Sequence, residues 1–556
     1  MKELIAKLLA KHLGKKEQEI LNLIGISPAG MGDYAFPCFS LAKEMKKSPV
    51  KIAEEIEEKI KLPKEISKIQ VNQAYLNFFI SPSFLIQQTI KKILKEKAKY
   101  GKGKEKSKVM IEFSQPNTHK AFHVGHIRNT SIGESLSRLY EFQGNKVIRA
   151  NYSGDTGMHI AKWIWCYKTF HNEEDLVDDE EWIASIYVDA VKRLEENPDF
   201  QLEVDAINRL LETREDKEIN QLWDKTRKLS IESWKKIYKE LNTRFDKYYF
   251  ESEVEKRGKE IAQNLVKQKI AIISDGATIM DLQKYNFGVW VLLRKDGTVL
   301  YSAKDLALAE KKFKDYEIDK SIYLVADEQQ LHFQQLMKTL ELMNFKELKK
   351  CQPVHYGLVR LPTGKMSSRT GQNILYSEFM EDVMGYAKEE IKKRFPQLNN
   401  KELEERALKI SIASIKYAML KQGPNKVIVF VREDALDFEG NTGPYLQYSY
   451  ARASSIMKKS KKSPKLNQEA IDEQEVVLVK KLGMFPEIAS HSYSQLNPSL
   501  LANYSYELAQ IFNEFYHSSK VIDDDREEFR LALVESFRIV LKSCLNLLGI
   551  DVIEEM

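Results

Sequence analysis

The sequence predicts a mixed α/β chain with an N-terminal α+β region, a central parallel sheet clothed in helices, and an all-α C-terminal region. Three observations predict it. A strand-like run, VMIEF, leads through a loop into a helix pattern from Val124 to Phe142, closed by Gly144 and followed by a second strand, KVIRANY: a βαβ unit. After about Asn400, apolar residues recur at three- and four-residue intervals, as in ALKISIASIKYAML and FRLALVESFRIVLKSCLNLLGI, the spacing of buried helix faces. Before residue 90, helical patterns alternate with a β-like run, AYLNFFISP.

Residues 1–90 open on MKELIAKLLAKHLGKK, which is amphipathic at helical spacing and carries no small-residue cleavage site, so a secretory signal is not expected. Residues 91–108, KKILKEKAKYGKGKEKSK, hold nine lysines and read as a basic linker, either merely solvated or a strip that tracks phosphates. Residues 109–400 carry the parallel sheet, interrupted at about 172–250 by a charged helical insertion of which EEWIASIYVDAVKRLEE is typical. Strand signals resume in GVWVLLRKDGTVLYS, where Asp296-Gly297 marks a hairpin turn, and in SIYLVA and PVHYGLVRL. Residues 401–556 form the helical bundle.

At 556 residues the chain is too long for one ordinary domain, and 43% hydrophobic with 30% charged residues supplies real cores without a bilayer span. Cys38, Cys166, Cys351 and Cys544 lie far apart with no CxxC pair, which indicates neither a disulfide framework nor a zinc ribbon. A cytoplasmic enzyme with reduced thiols and no bound metal is the expectation. The net charge of +5 is only mildly basic and by itself says nothing about nucleic acid.

Chemistry concentrates in SQPNTHKAFHVGHIRN. His123 stands just before the helix and His126 in its first turn, three residues on, where side chains share a face. The free N–H groups and positive dipole of a helix N-terminus attract phosphate, and Gly125 lets a nucleotide approach the backbone closely. Two histidines at this spacing could also be half a metal site, but no HExxH partner or third ligand is near. A second stretch, GKMSSRTG at Gly364–Gly371, is a Gly-flanked cationic loop that can close over a triphosphate, bringing Lys365 and Arg369 to the departing pyrophosphate.

Together HVGH and GKMSSRTG resemble the HIGH and KMSKS signatures of class I aminoacyl-tRNA synthetases. IEFSQPNTHKAFHVGHIRN, NYSGDTG, LYSAKDLA, DEQQLHF, GKMSSRTG and GNTGPYLQYSYAR stand in the order in which arginyl-tRNA synthetases carry their motifs, and the likeness runs from GDYAF near Asp33 to the terminal LNLLGIDVIEEM. The resemblance implies a Rossmann-type catalytic domain, an N-terminal domain against the D-loop of the tRNA and a C-terminal anticodon-binding bundle. It implies activation of arginine by ATP, with accompanying Mg2+ and no tightly bound cofactor, then transfer to the tRNA 3′ end, in a monomer whose pyrophosphate exchange requires tRNA. It makes His123, His126, Lys120, Lys365 and Arg369 the catalytic set, with Gly125, Met366 and Ser367 also on ATP.

By the same resemblance Glu112, Tyr301 and Asp305 recognise the guanidinium, a planar permanent cation that calls for fixed carboxylates, while Asn117 and Gln329 hold the α-amino and carboxylate end. Taken singly, Glu112 reads equally as a carboxylate paired with a lysine, and Asp305 as an N-terminal helix charge. On the tRNA side the matching positions are Asn72, Tyr75 and Asn77, and Tyr445, Gln447, Tyr448 and Arg452, whose aromatic and cationic groups suit splayed bases. Some of the tyrosines read equally as helix core. Two departures stand out: Ser368 occupies the place of the second lysine of KMSKS, for which Lys120 is the expected substitute, and Thr156 stands where many relatives have Trp. Competing readings are another class I synthetase, an HxGH nucleotidyltransferase acting on a small molecule, and an inactive RNA-binding homologue.

Overall fold

The computed structural model describes residues 2–27, 31–360, 362, 374–466 and 471–556. The GKMSSRTG loop, with Lys365, Met366, Ser367, Ser368 and Arg369, lies outside the described residues.

The chain forms two compact units. The first comprises residues 1–100, 453–484 and 510–540. Its antiparallel sheet runs Gly25–Ile26, Tyr34–Pro37, Tyr75–Ile80, Ile66–Asn72. Alternation of the Tyr75–Ile80 strand sends Leu76, Phe78 and Ile80 inward, to join Ile5, Leu9, Ile52, Ile56, Ile86 and Ile90 of the helices in the buried set. Each amphipathic helix thus hides one face, which is why the N-terminal sequence alternates helix and strand periodicities.

The second unit comprises residues 101–452, 485–509 and 541–556. Its five-stranded sheet is parallel throughout, in the order Cys351–Tyr356, Lys320–Ala326, Lys108–Glu112, Lys146–Ser153, Lys247–Phe250. Counted along the chain, that is the 3-2-1-4-5 order of a Rossmann-type sheet, whose direction of winding reverses beside Lys108–Glu112; ligands of such sheets bind beyond the carboxyl ends of the strands at this point. Met110, Ile148, Tyr323 and Val325 pack into one core with the helices Glu251–Lys267, Tyr301–Tyr316 and Gln330–Leu342. A second core joins Val124 and Ile127 of the helix Val124–Phe142 to the helices Tyr376–Arg394 and Asn400–Leu420. Gly133 lets that first helix lie close, because a Cβ there would come within 2.1 Å of the Phe113 ring.

Two local expectations change. Asp296-Gly297 does turn the chain, with Gly297 at φ +85°, but the return arm makes one bridge, Leu293↔Val299, before Tyr301 starts a helix. Val289–Leu293 instead pairs antiparallel with Ala277–Asp281, a strand the sequence reading missed. Lys247–Phe250, read as the end of the helical insertion, is the outer strand of the parallel sheet; four residues beside a helix pattern carry too little periodicity to declare themselves. The insertion before it packs Ile186 and Val204 against Trp163 and Trp165 of the preceding helix Met158–Phe170.

Candidate active site

The loop from the Lys108–Glu112 strand to the helix at Val124 is backbone-strained. Ser114, Gln115 and His119 all take positive φ, at 75°, 57° and 62°, and a non-glycine residue there costs on the order of 1 kcal/mol. Buried hydrogen bonds impose the geometry: Ser114 N donates to Asn129 Oδ1 (3.1 Å), Ser114 Oγ pairs with the Tyr238 hydroxyl (2.8 Å), and His119 N donates to Ser230 Oγ (3.1 Å). Thr118 N and Oγ1 both donate to Gly154 O, and Gly154 N returns a bond to Asn117 Oδ1 (3.2 Å). The PNT and GDTG segments are thereby stitched face to face.

His123 is the N-cap of the helix Val124–Phe142, and its Nδ1 accepts from Gly125 N at 3.1 Å. His126 Nδ1 accepts from His123 N, also at 3.1 Å, and the two rings lie 3.8 Å apart. Each Nδ1 is thus committed to a backbone N–H, so each neutral ring carries its proton on Nε2. Burial, with Lys120 nearby, lowers the His123 pKa to about 4, and burial with His123 beside it pushes His126 well below its ordinary value. At pH 7 both are neutral N–H donors rather than cations. Gly125 has a reason beyond nucleotide access: a Cβ there would stand 3.0 Å from His123 Cε1 and crowd the folded-back ring.

Positive charge comes from Lys120, half-buried 5.2 Å from the Tyr187 ring, its pKa lowered by burial and by Lys162. His159, brought down to about 3 by burial and by Lys120, adjoins the same cluster. His119, third histidine of the stretch, is structural. Thr226 Oγ1 gives its proton to a backbone carbonyl, so it accepts from His119 Nε2 (2.7 Å), and burial takes the His119 pKa to about 3.

Both roots of the GKMSSRTG loop are tied to this helix. On one side Arg128, fully buried, donates to the carbonyls of Leu358 (3.4 Å) and Pro424 (2.8 Å), and the Val359–Arg360 strand pairs with Ile428–Val429. On the other, Leu375 bridges His123, and Tyr376 N donates to Phe122 O (2.8 Å). Glu180 of the insertion accepts from Tyr376 N (3.4 Å) and Ser377 N (3.2 Å), capping the helix that follows the loop. Burial outweighs those bonds and raises the Glu180 pKa to about 7. Because the folded value exceeds the unfolded one, the folded state holds the extra proton between about pH 4.5 and 7. Stability from this group is therefore full below that window and is lost as pH rises through it, by about 3 kcal/mol at most. Glu180→Gln is expected to flatten this part of the stability–pH curve in denaturant titrations at pH 5, 6, 7 and 8.

Across the sheet end, Tyr301 and Asp305 occupy successive turns of one helix, and His332 Nε2 meets Asp305 Oδ2 at 2.6 Å. Glu112 realises its alternative reading. It is 2% exposed, ion-paired with Lys312, and accepts from Gln115 Nε2 at 2.8 Å. Asn117 is exposed with its oxygen used by Gly154; Gln329 is also exposed, in the short turn before the helix Gln330–Leu342. Sequence reasoning missed Tyr152, although NYSGDTG was singled out. Its buried hydroxyl has no hydrogen-bond partner among the described residues, and burial together with Asp305, Glu251, Glu112 and Asp155 raises its pKa well above normal. Thr156 gains an account as well: Lys304 Nζ donates to Thr156 Oγ1 (2.9 Å) and to Glu251 Oε2 (2.8 Å), a link an indole could not accept.

The expected RNA contacts divide. Tyr75 is 41% exposed with Phe39 set edge-on at 5.6 Å, and Asn72 is exposed. Asn77 is buried, its oxygen accepting from Ser27 Oγ at 3.3 Å. Gln447 is fully buried, its amide donating to the carbonyls of Asp551 (2.8 Å) and Lys409 (3.3 Å). Asn77 lies on the strand face opposite Leu76 and Phe78 and is covered there, with Ser27 beside it, while Gln447 lies on the buried side of its helix, so both support the fold rather than offer base-edge contacts. Tyr445, Tyr448 and Arg452 are partly exposed, with the Arg452 guanidinium 4.8 Å from the Tyr448 ring. Among the described residues one group has metal-ligand spacing, Cys166 of the helix before the insertion, His171 at the C-terminal cap of that helix and Asp189 of the insertion, where Asp189 Oδ2 already accepts from Arg193 Nε (2.6 Å).

A Rossmann-type sheet with paired imidazoles at the first helix N-terminus defines a class I tRNA synthetase fold and site, and residues 89–430 match the family described as "tRNA synthetases class I (R), catalytic domain". Residues 1–80 match "Arginyl tRNA synthetase N terminal domain" and residues 446–556 "DALR anticodon binding domain". The chain belongs to the arginyl-tRNA synthetase family. It is 37% identical to proteins named "Arginine--tRNA ligase" from Clostridium acetobutylicum and Clostridium perfringens, over 100% of this chain and of each relative. The arginyl-tRNA synthetase of Thermus thermophilus superposes with a TM-score of 0.81 at 26% identity, covering 100% of this chain and 99% of that one. Among the described residues no helix is long and apolar enough to cross a membrane.

Proposed function

We propose that this chain is an arginine–tRNA ligase: it joins arginine to AMP at the expense of ATP and passes the arginyl group to the terminal ribose of tRNA(Arg). One observation carries the reading. The helix that presents two neutral imidazole N–H donors also holds, through His123 and Arg128, both roots of the GKMSSRTG loop. Triphosphate between them meets donors from two sides, where charge develops as pyrophosphate leaves. The nucleophile is the arginine carboxylate, so the protein supplies position and charge rather than a covalent intermediate.

In this reading His123 and His126 donate through Nε2 to phosphate oxygens, Lys120 supplies the cation missing at Ser368, and Lys365 and Arg369 close from the loop. The helix mouth offers donors rather than carboxylates, so it does not suit Mg2+, which finds its oxygen ligands on the triphosphate and water. Tyr301 and Asp305 take the guanidinium and Asn117 and Gln329 the other end of the amino acid; Glu112, already neutralised by Lys312, shapes the pocket floor. Asn72 and Tyr75 stack and pair with a D-loop base, and Tyr445, Tyr448 and Arg452 meet the anticodon arm. The protein acts as a monomer, which sedimentation will test.

Pyrophosphate exchange with each of the twenty amino acids, with and without tRNA, tests the function. Exchange with arginine alone, dependent on tRNA, is expected; failure to charge any tRNA with arginine refutes the reading. Lys120→Met is expected to lower arginine-dependent exchange about 100-fold while leaving the dissociation constant for arginine within about threefold. Unchanged exchange would remove Lys120 from the role.

A further inference from the structure

His332 lies in DEQQLHF, and no role toward the substrate has been assigned to it. Its ring stands between two residues from distant parts of the chain: Trp290 Nε1 lies 3.2 Å from Nδ1, and Asp305 Oδ2 lies 2.6 Å from Nε2. An indole nitrogen can only donate, so Nδ1 must present its lone pair and the imidazole proton must sit on Nε2. That proton goes to Asp305. The Trp290 indole is itself 4% exposed and packed in the core of the sheet, which fixes the donor that fixes the histidine. The same imidazole meets the Tyr301 ring at 4.9 Å between centroids. One ring therefore touches both of the residues read as guanidinium partners.

The consequence is orientational. One oxygen of Asp305 is occupied by a single N–H, which stops the carboxylate from turning about its terminal torsion, a soft one in free aspartate. Because the imidazole donating that bond carries an indole bond on its other nitrogen, it is neutral and leaves Asp305 its full negative charge. Asp305 also acts on the buried Tyr152 hydroxyl, together with Glu251, Glu112 and Asp155. We propose that His332, held in its Nε2–H form by Trp290, is a positioning residue that aims Asp305 at a planar cation and so sets selectivity for the arginine side chain. The proposal rests on the reading of Asp305 as the guanidinium partner.

The test compares the KM for arginine and for ATP in the wild type, His332→Ala, His332→Gln and Trp290→Phe, each with its melting curve. Alanine is expected to raise the arginine KM about 10-fold or more while the ATP KM stays within about threefold, the loss of one charge-assisted hydrogen bond at one substrate only. Glutamine can give an amide N–H to Asp305 and take the indole proton, and is expected to restore the arginine KM to within about threefold of wild type. The 15N spectrum of the histidine ring is expected to report Nε2–H in the wild type and a tautomer mixture in Trp290→Phe. An unchanged arginine KM in His332→Ala, equal rises in both KM values, or an Nδ1–H ring in the wild type overturns the proposal. Failure of the wild type to use arginine is a separate result, because it needs no variant, and it removes the functional reading and this proposal together.

Discussion

His126→Ala is expected to lower arginine-dependent pyrophosphate exchange on the order of 10²–10³-fold, the cost of losing one preorganised donor to a charge-developing transition state. The substitution also removes the acceptor of the His123 N–H, so it loosens the helix cap, worth about 1 kcal/mol of stability. His126→Asn separates the two losses: its side-chain oxygen can keep the cap, while the Nε2–H is gone. Exchange is therefore expected to fall as far in Asn as in Ala while the melting temperature recovers. Equal activity of the Asn variant and wild type would show that the ring acts only through the fold. The pH profile adds a sign. With the His123 pKa near 4, neither imidazole gains its charge between pH 6 and 8, so no limb of the rate profile in that range belongs to this pair, and loss of donor–acceptor function begins only as pH falls toward 4.

Asp305→Asn is expected to cut kcat/KM for arginine by on the order of 10²–10³, with the KM for ATP within about threefold. Unpairing one member of a desolvated charge pair costs roughly 2–5 kcal/mol, which dwarfs the effect of an exposed ion pair. The isosteric amide can still accept from His332 Nε2 through its oxygen, so the local fold should hold. Discrimination against citrulline, which has arginine's shape without its charge, should shrink by a similar factor, because the site no longer holds an unpaired charge when citrulline binds. Steady-state kinetics with both amino acids checks this; equal losses for arginine and ATP would move Asp305 out of the pocket.

The central strand, the helix Val124–Phe142 and the C-terminal helices were legible because their signals are local. VMIEF is a run of residues buried on both faces, and the helices repeat every three or four residues. HVGH was legible for the same reason: N-cap, glycine and second imidazole act within one turn. The outer strand at Lys247–Phe250 and the strand Ala277–Asp281 were not, since short strands acquire their identity from a partner.

Side-chain environments divide in the same way. Asn77 and Gln447 carry amides that suit a base edge, yet one is buried beside Ser27 and the other against the backbone at Asp551. Glu112 finds Lys312, Thr156 finds Lys304 and Glu251, and His332 finds Trp290 and Asp305, in each case at least 27 residues away. The sequence by itself determined the sheet-and-bundle architecture, the family and the stretches that carry chemistry, because periodicity, caps and ordered motifs are written in neighbouring residues. Which protons those residues hold, which carboxylates keep their charge and which polar groups turn inward was decided only by tertiary packing. Desolvation and hydrogen-bond partners come from segments far apart in the chain, and they exist only once the fold has brought them together.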